Sequence, residues 1–200
     1  MRNRFILTLM AVFFWVSASS AQQAPRTWSA DPAHSSVAFS VRHMMVSNVR
    51  GEFTRFSATV TTAGEKPETA QVEVSIEAAS IDTRNADRDK HLRSADFLDV
   101  EKFPTMTFSS TKVEAAGSRK FRIYGNLTIR GVAKPVVLDA EVSPVVKDPW
   151  GNLRVGVHAT TTINRKDFGV SWSRVLDTGE VVVGDEVNVT LDVELVSKAQ

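Results

Sequence analysis

This sequence predicts an all-β fold, an antiparallel barrel of eight strands with one short helical insertion. Three observations carry that reading. Apolar and polar residues alternate with period two in run after run from residue 34 to residue 195, the pattern of strands with one buried face. Turn signals at 64–67, 117–118, 131–135 and 148–152 separate many of these runs. Eight amphipathic strands suit a sandwich or a closed up-and-down barrel, and the short turns favour the meander and therefore the barrel.

The runs follow in chain order. In 34–43, Val37, Phe39 and Val41 share a face that His43 continues. In 52–60, Phe53 and Phe56 break parity, which predicts a bend or bulge. Val72, Val74, Ile76 and Ala78 alternate with Glu73, Ser75 and Glu77, and Met106, Phe108 and Ser110 come next. The cleanest run sets Phe121, Ile123, Gly125, Leu127 and Ile129 against Arg122, Tyr124, Asn126, Thr128 and Arg130. Val136, Leu138, Ala140 and Val142 follow, then Leu153, Val155, Val157, Ala159, Thr161 and Ile163, with His158 facing outward. Val187, Val189, Leu191, Val193 and Leu195 form the last run.

Two segments interrupt the alternation. Residues 82–103 are helical in character, centred on about residues 85–99: Asn85 can cap, Asp87 and Asp89 suit the first turn, and Asp89 pairs with Arg93 four residues on. Leu92, Ala95 and Leu98, with Phe97 beside them, give this segment an apolar face suited to closing a barrel mouth. Residues 165–183 are long for a loop between strands and have the length of a lid.

The N-terminus stands apart. Residues 1–4 are basic, 5–16 are almost wholly apolar, and small residues follow, with Ser19 and Ala21 placed for a cut between Ala21 and Gln22. This predicts a cleavable signal peptide over 1–21, hence secretion, and a single domain over 22–200, the apolar run being shorter than the roughly 20 residues a membrane span needs. Cleavage removes Arg2 and Arg4 and turns a formal net charge of +1 into −1. Such a balance argues against a nucleic-acid partner, and the absence of cysteine excludes a disulfide framework, a thiolate metal site and a cysteine nucleophile. The composition, 42% apolar and 24% charged, is that of a globular chain. The four histidines lack metal-ligand spacing and no GxSxG elbow is present, so neither a metal, another cofactor nor catalysis is expected.

Six segments in order then become informative: 41–53 (VRHMMVSNVRGEF), 79–83 (ASIDT), 88–99 (RDKHLRSADFLD), 103–108 (FPTMTF), 125–132 (GNLTIRGV) and 163–170 (INRKDFGV). Together they resemble the YceI-like family of secreted bacterial polyisoprenoid-binding proteins. The resemblance implies a periplasmic location and a lipocalin-like barrel without catalysis, whose apolar lumen sequesters or transports a long-chain isoprenoid or similar amphiphile.

The inward residues alone leave a packed and a hollow barrel open. The small inward set of Gly125, Ala140, Ala159 and Thr161 favours a cavity, while neighbours folding over Gly125 would fill one. With the resemblance favouring the cavity, the lumen is expected to be lined by Phe39, Val41, Met44, Met45, Ile76, Met106, Phe108, Ile123, Gly125, Leu127, Ile129, Val157, Ala159 and Ile163. Leu92, Phe97, Leu98, Phe168 and Trp172 are expected at its mouth. His43, Arg88, Arg93 and Arg165 are candidates for a head group, although the arginines lie among acids that could simply pair with them. The alternative is a stress-response or interaction module with a packed barrel and no ligand. The long loop and the edge strands leave a homodimer open.

Overall fold

The structure, a computed structural model, describes residues 24–64, 66–175 and 182–198. The segment expected to be a signal peptide lies outside these residues. The strands are β1 (Pro25–Ala30), β2 (Ser36–His43), β3 (Ser47–Phe53), β4 (Phe56–Ala63), β5 (Gln71–Glu77), β6 (Ile81–Asp82), β7 (Thr105–Gly117), β8 (Lys120–Ile129), β9 (Val132–Val142), β10 (Val146–Lys147), β11 (Asn152–Asn164) and β12 (Val183–Lys198). The helix α1 spans Ala86–Arg93.

These strands form a closed antiparallel barrel with eight staves. The first stave is β1 continued by β2: both pair with β12, through Ser29–Val196 and Ala30–Leu195 and then Ser36–Asp192 to His43–Val183. The break between them is a 3-10 turn at Pro32–His34, where the Asp31 carboxylate accepts the Ala33 N–H at 3.0 Å. The second stave is β3 continued by β4, and the parity break at Phe53 and Phe56 falls at their junction. Then β5, β7, β8, β9, β11 and β12 follow as a meander, and β11 pairs with β12 along thirteen positions from Asn152–Lys198 to Asn164–Glu186. Eight strands leave an interior that side chains just fill or that holds one small ligand.

The two ends of the barrel differ. At one end α1, its following turn and the Arg165–Phe168 turn close the barrel. Phe168 and Phe97 are buried, and Trp172 packs tilted against Phe97 and edge-on against His91, with ring centroids 5.1 and 5.0 Å apart. Arg130, in the tight turn between β8 and β9, holds this cap by donating from Nη1 to the Phe97 carbonyl at 2.6 Å. At the other end lie the 3-10 turn at Pro67–Thr69, the turns at 117–120 and 143–151, the start of β1 and the end of β12, with no α-helix across them among the described residues.

Between the ends the interior is solid. Val37, Ile76, Ala78 and Met106 form one buried cluster with Phe53, Phe56, Leu98 and Ile129 against it. Phe108, Phe121, Leu138, Ala140 and Ala159 form the next. Among the described residues no helix is long and apolar enough to cross a membrane.

Candidate functional site: an apolar cavity at the uncapped end

Above that second cluster, at the uncapped end, is a part-open cavity of about 340 Å³. Every stave contributes to it. Trp28 on β1, Val60 on β4, Val72 and Val74 on β5, Val113 on β7, Ile123 on β8, Val142 on β9, Val155 and Val157 on β11, and Val193 and Leu195 on β12 form its wall. Phe121, Leu138 and Ala159 belong both to the cluster below and to this lining. Arg26, Thr62, Gly64, Pro67, Ala70 and Val145 line it where the chain enters and turns.

Side-chain length explains why the space is here. Nine of the lining residues are valines, which end one carbon beyond Cβ and stop short of the barrel axis. Towards the capped end the inward positions carry Phe39, Phe53, Phe56, Met106 and Phe108, which reach across. Two glycines let the rings lie flat on the wall. A Cβ on Gly125 would stand 2.4 Å from Phe108 Cζ, and one on Gly51 would stand 2.6 Å from Phe39 Cζ.

The structure therefore redistributes the residues expected to line a lumen. Ile123, Val157 and Ala159 line the cavity. Phe108, Gly125 and Leu127 do not: the Phe108 ring occupies the space that Gly125 leaves, so the glycine makes room for a side chain. Ile76, Leu98, Met106 and Ile129 belong to the solid middle. Phe39 packs on Phe53 at 5.7 Å, and Val41, with Ile163, faces Val187 near the capped end. Met44 and Met45 lie at the exposed tip of the β2–β3 hairpin, 37% and 51% accessible. Leu92, Phe97, Phe168 and Trp172 sit on the capping segments, at the end away from the cavity.

The head-group candidates are committed elsewhere. Arg88 donates to the hydroxyl and carbonyl of Thr83 at 2.7 and 2.8 Å. Arg93 donates to the Ala79 and Ile81 carbonyls at 2.8 and 2.6 Å. Buried Arg165 donates to the carbonyls of Gly184, Val170, Trp172 and Val183 and to Asp185, and burial pulls its pKa down against the opposing pull of Asp185. All three guanidiniums are taken up by backbone carbonyls of the protein itself. His43 ends β2, opposite Ser47, away from the cavity. Asp31, His34 and Glu194 bring ligand atoms within 4.8 Å of one another, but Arg154 bonds to both Asp31 and Glu194 and occupies the charge between them.

Sequence reasoning left out Trp28, because β1 offers only Trp28 and Ala30 as apolar inward residues between Pro25 and Pro32, too few for a period-two signal. The lining residues of β5, β9, β11 and β12 had legible inward parity. The missing information was which end is hollow.

An antiparallel barrel closed at one end, with an apolar cavity at the other, is the architecture of a small-ligand-binding barrel. Residues 28–195 match the model of the YceI-like domain, and the chain belongs to that family. A UPF0312 protein of Pectobacterium atrosepticum is 42% identical over 171 residues, covering 86% of this chain and 88% of the relative. Among solved structures, BcnA of Burkholderia cenocepacia aligns with a TM-score of 0.72 at 26% identity, over 82% of this chain and 98% of its own. The Campylobacter jejuni YceI protein aligns at 0.67 and 34% identity, over 80% and 90%. A polyisoprenoid-binding domain of Saccharophagus degradans shares the fold at 0.65 and 16% identity, over 85% and 98%.

Proposed function

We propose that this protein is a periplasmic lipid carrier that binds an isoprenoid or similar amphiphile in the cavity of the uncapped end and catalyses nothing. The observation that carries the reading is the cavity itself, about 340 Å³ walled by apolar side chains from every stave. At about 30 Å³ for a water-sized group, close to a methylene, it takes about eleven carbons of a chain. At about 0.8 kcal/mol per buried methylene, that is about 9 kcal/mol of gross transfer free energy before the costs of association. The polyisoprenoid-binding domain among the structural relatives supports this ligand class. The only ionisable side chain in the described lining is Arg26, which leaves no acid–base pair for chemistry. The basic and apolar stretch over 1–21 supports export.

The packed-module alternative needs a filled lumen, and the cavity weighs against it. Native mass spectrometry of the protein purified from its own host tests the reading: a bound lipid is expected, and its loss in Val193→Trp, whose indole fills the cavity from β12, is the specific control. An unchanged lipid load in a folded Val193→Trp variant would mean that the ligand lies elsewhere.

A further inference from the structure

We propose that Arg26 receives the anionic head group, carboxylate or phosphate, of a single-chain amphiphile whose tail fills the cavity. This rests on the lipid-binding reading and specifies its ligand. Arg26 lies two residues before Trp28 on β1, so both line the cavity by strand parity. Its Cζ stands 5.8 Å from the centroid of the Trp28 ring. That ring face attracts the positive charge but offers no lone pair to an N–H. Arg26 Nη1 is buried and has no hydrogen-bond partner, the one such side-chain atom among the described residues.

The other buried or half-buried guanidiniums among the described residues have acceptors. Buried Arg165 has five acceptors, and Arg154 has three carboxylates. An unmade hydrogen bond at a buried charged nitrogen is costly, so an acceptor at this point gains more than it would on the surface. No acid belongs to the described lining. The other polar side chain in the lining, Thr62, stands opposite Arg26 in the β1–β4 register. Its hydroxyl donates to the Gly64 carbonyl at 2.7 Å and keeps its lone pairs. Polarity is thus confined to one edge of an otherwise apolar cavity, which orients a ligand with its charge at the 62–64 edge and its chain inward. A planar guanidinium matches carboxylate and phosphate oxygens in pairs, which an alcohol cannot reproduce.

The test is calorimetric titration of the mature protein with dodecanoate, dodecyl phosphate and dodecanol, three heads on one tail that fits the cavity. At least one anion is expected to bind about tenfold or more tighter than dodecanol, and the tighter of the two identifies the head group. In Arg26→Gln the ratio of anion to dodecanol affinity, measured within that variant, falls to about twofold or less, and Arg26→Lys keeps part of it. Equal affinity of the native protein for all three overturns the proposal without needing any variant. A preference that survives Arg26→Gln overturns it as well. Dodecanol binding without anion preference leaves the lipid-binding reading standing, whereas binding of none of the three removes both.

Discussion

Gly125 and Gly51 act alike: each clears wall space for a phenylalanine ring, so the barrel is solid where the sequence suggested a hole. Gly125→Ala is expected to cost about 1–3 kcal/mol by overpacking against Phe108, read as a lower urea midpoint with an unchanged slope. Lipid binding by the folded protein should stay the same, because the cavity begins beyond that ring. Arg165 shows the same shift from function to framework. Its replacement by methionine keeps the bulk of the stem but strands four carbonyls and Asp185. A loss of about 3 kcal/mol is expected in denaturant melts, together with faster amide exchange in residues 170–172.

Two turns set limits on stability at the scale of elements. In the β2–β3 hairpin, Met44 and Met45 both have positive φ, 50° and 56°, where a side chain is strained. They are the two central residues of a β-turn closed by the Val46 N–H on the His43 carbonyl, positions whose positive φ suits Asn-Gly. Replacing Met44 and Met45 with that pair is expected to raise stability by about 1–2 kcal/mol, read as a higher melting temperature. In the turn leading to β11, the Asp148 carboxylate accepts the N–H groups of Trp150 and Asn152 at 2.9 and 2.8 Å and Arg154 Nε at 2.8 Å. Burial alone would raise its pKa; Arg154, Asn152 and Trp150 outweigh that and hold it at about 2, below the ordinary 3.8. A depressed carboxyl stabilises the fold above its unfolded value, and that contribution fades as pH falls through the folded one. The melting temperature is therefore expected to drop between about pH 4 and pH 2, and to drop less in Asp148→Asn.

The whole molecule is asymmetric along the barrel axis: an aromatic cap at one end, a valine-walled cavity at the other. A ligand in that cavity couples to the native state alone, adding about 2.7 kcal/mol at a hundredfold excess over Kd. Hydrogen exchange is expected to show the added protection in β1, β4, β5 and the end of β12, with α1 unchanged. Equal protection at both ends would mean that the ligand threads the capped half.

The sequence by itself determined the staves. Alternation every second residue is local, and it marked which side chains of β5, β8, β9, β11 and β12 face inward. It missed β1, a short strand with one tryptophan between prolines, and the second half of β7, where bulges at Ser110–Lys112 and Ala115–Gly117 reset the parity. Only the tertiary structure decided where the interior is empty. Inward parity is a property of one strand, whereas free volume depends on which residues of eight staves share a level. That register gathers Phe39, Phe53, Phe56 and Phe108 towards the cap and nine valines around the cavity at the open end. It also placed Arg26 beside Trp28 and opposite Thr62, and gave Arg88, Arg93 and Arg165 to backbone carbonyls, because burial and partners are set by the neighbours that folding supplies.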